Sequence, residues 1–180
     1  MNVIQTAIPG VLIIEPVVRR DARGFFVEAW HEPRYRSAGI DLPFVQDNHS
    51  RSGRGTLRGL HYQIRQPQGK LVWVATGEVF DVAVDLRRSS PTFGRWVGIV
   101  LSGENHRQLW VPPGFAHGFY VTGESADVLY KCTELYAPEF DRTLRWDDAD
   151  VGITWPLEGA PVLSPKDQAG LTLSDADMYP

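Results

Sequence analysis

The chain is poor in cysteine, with Cys132 alone in 180 residues. An internal disulfide is therefore impossible, and a reducing, cytoplasmic location is expected. Long apolar runs are absent, and nothing approaches the roughly 18 residues of a membrane span. The opening MNVIQTAIPG does not have the charged-then-apolar order of a signal peptide. Basic clusters are missing too: the net charge is −4, and arginines come singly or in pairs, as in Arg19-Arg20 and Arg87-Arg88. That balance excludes a phosphate-backbone surface, so no nucleic-acid partner is expected. Helix periodicity is also scarce.

What is there is strand grammar. Short runs rich in Val, Ile, Phe, Trp and Leu alternate with Gly, Pro, Asn, Asp and Ser. VLIIEPVV (11–18), GFFVEAW (24–30), FVQDNH (44–49), TLRGLHYQI (56–64), KLVWVATG (70–77), EVFDVAVDLR (78–87), RWVGIVLSG (95–103), RQLWVPPG (107–114), AHGFYVTG (116–123) and ADVLYKCTELY (126–136) all read as strands. EVFDVAVDL alternates strictly, with Phe80, Val82, Val84 and Leu86 on one side. Val79, Asp81, Ala83 and Asp85 occupy the other, which predicts a half-buried strand with a polar second face. Gly77-Glu78 between two runs predicts a tight hairpin. EPRYRSAG (32–39) predicts a short helix ending at Gly39, and Ser164 with Pro165 predicts a capped helical turn. The whole predicts one all-β domain over 1–180, a jelly roll of two packed antiparallel sheets with short helical turns. The less regular last ~40 residues are expected to wrap it.

Five histidines, His31, His49, His61, His106 and His117, are the first candidates for chemistry. A metal-binding cupin would need a second histidine two places after His61 and a carboxylate soon after. Gln63 stands there instead, and no Glu follows before residue 78, so no metal is expected. His61 lies in LRGLHYQ, opposite Leu60 and Tyr62. It is either a histidine satisfied by backbone or solvent, or a general base suited to neutral pH. Gln46, Asp47, Asn48, Arg58 and Lys70 lie nearby in segments expected to pair in one sheet. Such a polar set inside a sandwich is costly without a ligand, and its cations and amides suit an anionic, hydroxylated small molecule. Arg58 and His61 are three apart, so plain alternation puts them on opposite faces unless Gly59 introduces a bulge. His117 follows the Pro112-Pro113-Gly114 turn. Tyr130 is either a tyrosine bonded to something polar or an acid facing the histidine. Read by itself, Asp167 is a solvated carboxylate on a helical turn.

The stretches RGFFVEAW, FVQDNHS, LRGLHYQ, QGKLVWVATGEVFDVAVDLR, SPTFGRWVG, RQLWVPPGFAHGF, VLYKCTELYAP, GITWP and LSPKD, in this order and spacing, closely resemble the dTDP-4-dehydrorhamnose 3,5-epimerases. The resemblance covers about residue 3 to about 170 and implies a cupin jelly roll that needs neither metal nor cofactor. It implies a homodimer with exchanged N-terminal strands and a dTDP-linked 4-keto-6-deoxy sugar as substrate, inverted at C3 and C5 for dTDP-L-rhamnose synthesis. On that resemblance His61 is the base, Asp167 its dyad partner, Tyr130 the acid and Lys70 the cation facing the C4 enolate oxygen. Asp167 is then expected to raise the His61 pKa. Arg23, Glu28, Gln46, Asp47, Asn48, Arg58, His117 and Lys166 match substrate-binding positions, and Tyr136 an aromatic for thymine. Asp141 stands where the family often has glutamate, leaving Asp141 and Glu139 as alternatives. A single-centre 3- or 5-epimerase and a non-catalytic sugar-nucleotide-binding cupin are the rival readings.

Overall fold

The computed structural model describes residues 1–180. Its strands are β1 (Asn2–Gln5), β2 (Leu12–Glu15), β3 (Val18–Asp21), β4 (Gly24–Val27), β5 (Gln46–Gly53), β6 (Leu57–Gln63), β7 (Lys70–Asp85), β8 (Trp96–Ser102), β9 (Gln108–Val111), β10 (Phe115–Cys132) and β11 (Asp141–Thr143). Two short helices, α1 (Glu32–Ser37) and α2 (Pro165–Gln168), and a 3₁₀ turn at Pro138–Phe140 complete the elements. Every strand pair is antiparallel.

The two long strands organise the jelly roll. The first half of β7 pairs with β9 and with the second half of β10, which also carries β5; β1 and β2 extend this layer beyond β9. The second half of β7 pairs with β8 and with the first half of β10, which carries β6 and then β11. One strand pair thus runs through both layers.

The hairpin expected at Gly77-Glu78 is not formed; β7 runs on through it. Gly77 sits at φ +80°, and a Cβ there would lie 1.8 Å from the Ser125 carbonyl oxygen. A positive-φ glycine serves a bend as readily as a turn, so the local signal was ambiguous. The inward parity changes at this bend. Val72 and Val74 before it share a core with Val79 and Ala83 after it. The register of β10 against β7 shifts between Val121 and Ala126, which fuses two expected strands into one. The polar second face expected of EVFDVAVDL is also corrected. Val79, Asp81, Ala83 and Asp85 are all fully buried, because β7 is central and both of its faces are covered.

Three apolar clusters result. One fills the space between the layers around Val72, Leu109, Phe119 and Val128. A second packs the outer side of Leu57, Leu60, Val82 and Val84 beneath Leu144, Val151 and Trp155 of the C-terminal segment. The wrapping tail is held by polar ties as well: Tyr62 Oη donates to the Asp177 carbonyl at 2.6 Å, and Trp155 Nε1 to that of Trp146 at 2.8 Å. The third cluster packs Tyr35 and Ile40, in and after α1, on Leu12, Leu71 and Trp110. Burying each such side chain is worth about 1.5–3 kcal/mol, which secures both outer faces. VLIIEPVV breaks at Pro16 into β2 and β3, and β3 pairs only with β4, in a small separate sheet.

Candidate active site

A cavity of about 360 Å³ opens between the layers, lined by residues of β5, β6, β7, β10 and the C-terminal segment. That volume falls within the range of small-ligand sites. β5 contributes Gln46, Asn48 and Ser50, the inward set of a simple alternation. The same alternation turns Asp47 outward, where Lys131 Nζ donates to its carboxylate at 2.8 and 2.9 Å. Asp47 is therefore absent from the cavity.

Arg58 and His61 both line it, although they are three residues apart. On β10, Phe119 faces Arg58 and His117 faces His61, so three steps on β6 oppose two on β10. That bulge centres on Gly59, at φ +130°. A Cβ on Gly59 would lie 2.6 Å from Gly118 Cα, so the crossing tolerates only glycine. Leu57, Leu60 and Tyr62 consequently face the outer core while the arginine and histidine face inward.

His61 Nε2 donates to Asp167 Oδ1 at 2.7 Å. Asp167 is 3 % exposed and reaches this point because α2 begins in a reciprocal cap with Ser164. Its Oδ1 also accepts from the Gly59 backbone N–H at 3.1 Å. Oδ2 accepts from the Ser164 N–H at 3.2 Å and hydroxyl at 2.6 Å. Burial opposes ionisation, but these donors and His61 outweigh it and hold the carboxyl well below its usual range. His61 itself is shifted down on balance, although Asp167 acts on it in the expected, upward direction. Burial dominates, Asp167 opposes it, and the Lys166 and Lys70 charges add to the downward shift. The Nδ1 edge of His61 has no partner within the chain and is not a sealed orphan, so it is free to take a proton.

Lys70 is buried on the cavity wall, with Nζ 3.5 Å from the His61 carbonyl oxygen. Desolvation moves its pKa down. Tyr130 enters from the second half of β10, and burial raises its pKa, keeping the phenol protonated. Arg58 is anchored through Nε to Ser52 Oγ at 2.9 Å, which leaves its two terminal nitrogens for a ligand. At the rim, Tyr136 Oη donates to Asp141 at 3.0 Å, and Lys166 pairs with the same carboxylate. Asp141, not Glu139, lines the cavity. Gln63 is used structurally: its amide donates to the Gln66 and Leu135 carbonyls and its oxygen accepts from Ala137 N–H, fixing the rim loop.

Arg23 and Glu28 are not brought to this cavity. Arg23 lies in the β3–β4 turn, paired with Asp21 at 2.6 Å, and Glu28 pairs with Arg34 beside a different depression. Ser50, Tyr62, Gln63, Gln68 and Phe119 line the site without having been expected. For Ser50 the signal was legible, since it continues the alternation of Gln46 and Asn48. No group of three or more His, Cys, Asp or Glu is arranged to hold a metal ion.

Residues 5–175 match the family model of dTDP-4-dehydrorhamnose 3,5-epimerase. A Pseudomonas aeruginosa dTDP-4-dehydrorhamnose 3,5-epimerase is 58 % identical, with all of both chains covered. The crystal structure of a Legionella pneumophila dTDP-6-deoxy-D-glucose-3,5-epimerase, in complex with dTDP-4-keto-L-rhamnose, superposes with a TM-score of 0.96 and 55 % identity. That match covers 98 % of this chain and 94 % of the other. A 3'-monoepimerase from Streptomyces bikiniensis in complex with dTDP-quinovose is more distant: TM-score 0.88, 36 % identity, 94 % and 86 % covered. With the match spanning nearly its whole length, the chain belongs to the dTDP-4-dehydrorhamnose 3,5-epimerase family, and is an isomerase.

Proposed function

We propose that this protein inverts C3 and C5 of dTDP-4-dehydro-6-deoxy-D-glucose, giving dTDP-4-dehydro-L-rhamnose for dTDP-L-rhamnose synthesis. The observation that carries the reading is the His61–Asp167 pair opening on the same cavity as Lys70 and Tyr130. Asp167 accepts a hydrogen bond from the His61 Nε2–H, and the Nδ1 lone pair of His61 removes the hydrogen next to the C4 ketone as a proton. The C–H electron pair moves onto the C4 oxygen, where the Lys70 ammonium stabilises the enolate. Tyr130 then gives its phenolic proton to the other face of the same carbon, and the oxygen's electrons return to the carbonyl. Once solvent has taken the proton from His61 and returned one to Tyr130, repeating this at the second carbon completes the isomerisation. Each carbon loses one proton and gains one, so no electrons are exchanged with a cofactor. A positioned base contributes about 10²–10⁴-fold, and each good donor at the enolate about 2.7–4 kcal/mol.

Arg58 and Lys166 supply positive charge for the diphosphate, Gln46 and Asn48 supply amide contacts, and Tyr136 offers a face for thymine. The test is incubation in D₂O with NMR at both carbons. Deuterium at C3 and C5 with the L-configured product supports the double epimerase. Deuterium at one centre only favours a monoepimerase, and no exchange at all favours a silent binding protein.

The same reading includes a homodimer with exchanged N-terminal strands. It is supported by Phe25 and Phe26, 53 % and 66 % exposed on the detached β3–β4 sheet, and by Arg23 and Glu28, which find no role in their own cavity. An active monomer in sedimentation would overturn it. A reducing, cytoplasmic setting is supported by the lone buried Cys132; no helix is long and apolar enough to cross a membrane.

A further inference from the structure

Residues 134–137, after β10, belong to no strand or helix and rim the cavity through Tyr136. Tyr136 is 54 % exposed, so packing does not hold it. Polar ties do. The side chain of Gln63, buried at the end of β6, grips both peptide units that flank the Tyr136 Cα. Its Nε2 donates to the Leu135 carbonyl at 3.2 Å, in the peptide before Tyr136. Its Oε1 accepts from the Ala137 N–H at 2.9 Å, in the peptide after it. The other Nε2 hydrogen goes to the Gln66 carbonyl at 2.8 Å, which anchors the amide itself. Only one orientation of the amide satisfies all three partners. Gln46 Oε1 takes a second hold on the first peptide, accepting from the Tyr136 N–H at 2.9 Å. With both peptide planes held, φ and ψ of Tyr136 have little freedom, and the Oη tie to Asp141 at 3.0 Å restrains the ring. Both amide hydrogens of Gln63 are spent inside the chain, so it acts on a ligand through what it holds. The ends of the segment are tied separately, by Gln68 Nε2 to the Glu134 carbonyl at 2.9 Å and by β11 on β6.

We propose that Gln63 is a positioning residue for nucleotide recognition: it sets the Tyr136 backbone so that the exposed ring stands where the base of the bound nucleotide stacks. The inference rests on the dTDP-sugar reading above, in which Tyr136 offers a face for thymine, and it adds the residue that aims that face. A ring held in place beforehand loses little freedom when the ligand arrives, so affinity rises without any new contact. Gln63→Met keeps the side-chain length and removes donor and acceptor together. It frees both peptides while leaving the charges of Arg58 and Lys166 in place.

The test is a double-mutant cycle read by calorimetry, with dTDP and inorganic pyrophosphate titrated into wild type, Q63M, Y136A and the double variant. Y136A should bind dTDP about 5–150-fold more weakly, the worth of one base–aromatic stack. Q63M should lose about fivefold or more for dTDP, but less than about twofold for pyrophosphate, which has no base. In the Y136A background the same change should cost dTDP less than about twofold, because no ring is left to aim. An equal loss in both backgrounds, an equal loss for both probes, or dTDP binding by Q63M within about twofold of wild type would overturn the proposal. If Q63M does not fold, Q63E keeps the acceptor for Ala137 and removes both donors. Its charge acts on both diphosphates alike, so the ratio between the two probes must shift in the same direction. Unchanged dTDP binding by Y136A would sink the thymine-face reading and this inference together. A weakened Y136A beside an unaffected Q63M would sink this inference alone.

Discussion

Replacing Asp167 with Asn should separate binding from chemistry. The carboxylate accepts from four groups: the Gly59 N–H, His61 Nε2, and the Ser164 N–H and hydroxyl. An asparagine can keep only one oxygen. Turned toward Gly59 and His61, it leaves the Ser164 N–H facing an amide donor, while the hydroxyl rotates to accept. Turned the other way, it sets two donors, one of them buried, against its amide. The first orientation is cheaper and leaves one unsatisfied donor, about 1–3 kcal/mol. For a domain of this size that lowers Tm by about 2–12 °C. The variant should also lose acid sensitivity. The native Asp167 carboxyl is depressed, so its contribution to stability is present above the unfolded value near ~3.9 and is lost as pH falls through the folded value. Asn cannot show that dependence. Turnover should fall about 10²–10⁴-fold with little change in substrate affinity, because the ring keeps an acceptor but loses the negative charge that stabilises its protonated form. Asp167 opposes the downward shift of His61, so the acid limb of the kcat/KM profile should move to lower pH. The assays are dTDP binding, C3 deuterium exchange, melting and the pH profile on one preparation. Unchanged turnover, or turnover and binding falling together with Tm, would refute the dyad.

Tyr130→Phe should retain C3 exchange with solvent far better than it retains inverted product, because the base stays in place while the opposite-face acid is removed; equal losses by NMR would show that Tyr130 is not a separate donor. Gly118→Ala should destabilise by about 1–3 kcal/mol in denaturant unfolding, because its Cβ would lie 2.7 Å from the Arg58 carbonyl oxygen and 3.0 Å from Gly59 Cα. It should also cut turnover by displacing Arg58 and His61. A fully stable, active variant would show that the bulge has slack. Activity should survive exhaustive EDTA treatment, since Gln63 is committed to the rim loop; loss restored by one metal would overturn the proton-transfer scheme. Below about pH 6.5, burial of His61 should begin to weaken the fold, since the unfolded chain takes up that proton more readily. A flat melting profile from pH 7 to 5 in wild type would contradict that shift.

The sequence by itself determined the fold class, because strand periodicity is local. Alternation along β5 carries its inward set of Gln46, Asn48 and Ser50, although Asp47 was expected beside them, and the Ser-Pro cap of α2 was legible from residue types alone. The family likeness supplied His61, Lys70 and Tyr130 together, and the structure gathers them into one cavity. Other features were decided only by tertiary structure, because they depend on what lies across a ladder or over a face. Gly77 reads as a turn until Ser125 is seen packed against it. Alternation separated Arg58 from His61 until Gly118 was found opposite Gly59, with a ladder register that absorbs the extra residue. Asp81 read as part of a wet face until β8 and β10 were placed on either side of β7 and His117 over its carboxylate. Asp167, 106 residues from His61, had no local sign of burial. Only closure of the tail over β6 removes it from water, and that desolvation, together with its four donors, makes a surface-like carboxylate the fixed partner of His61.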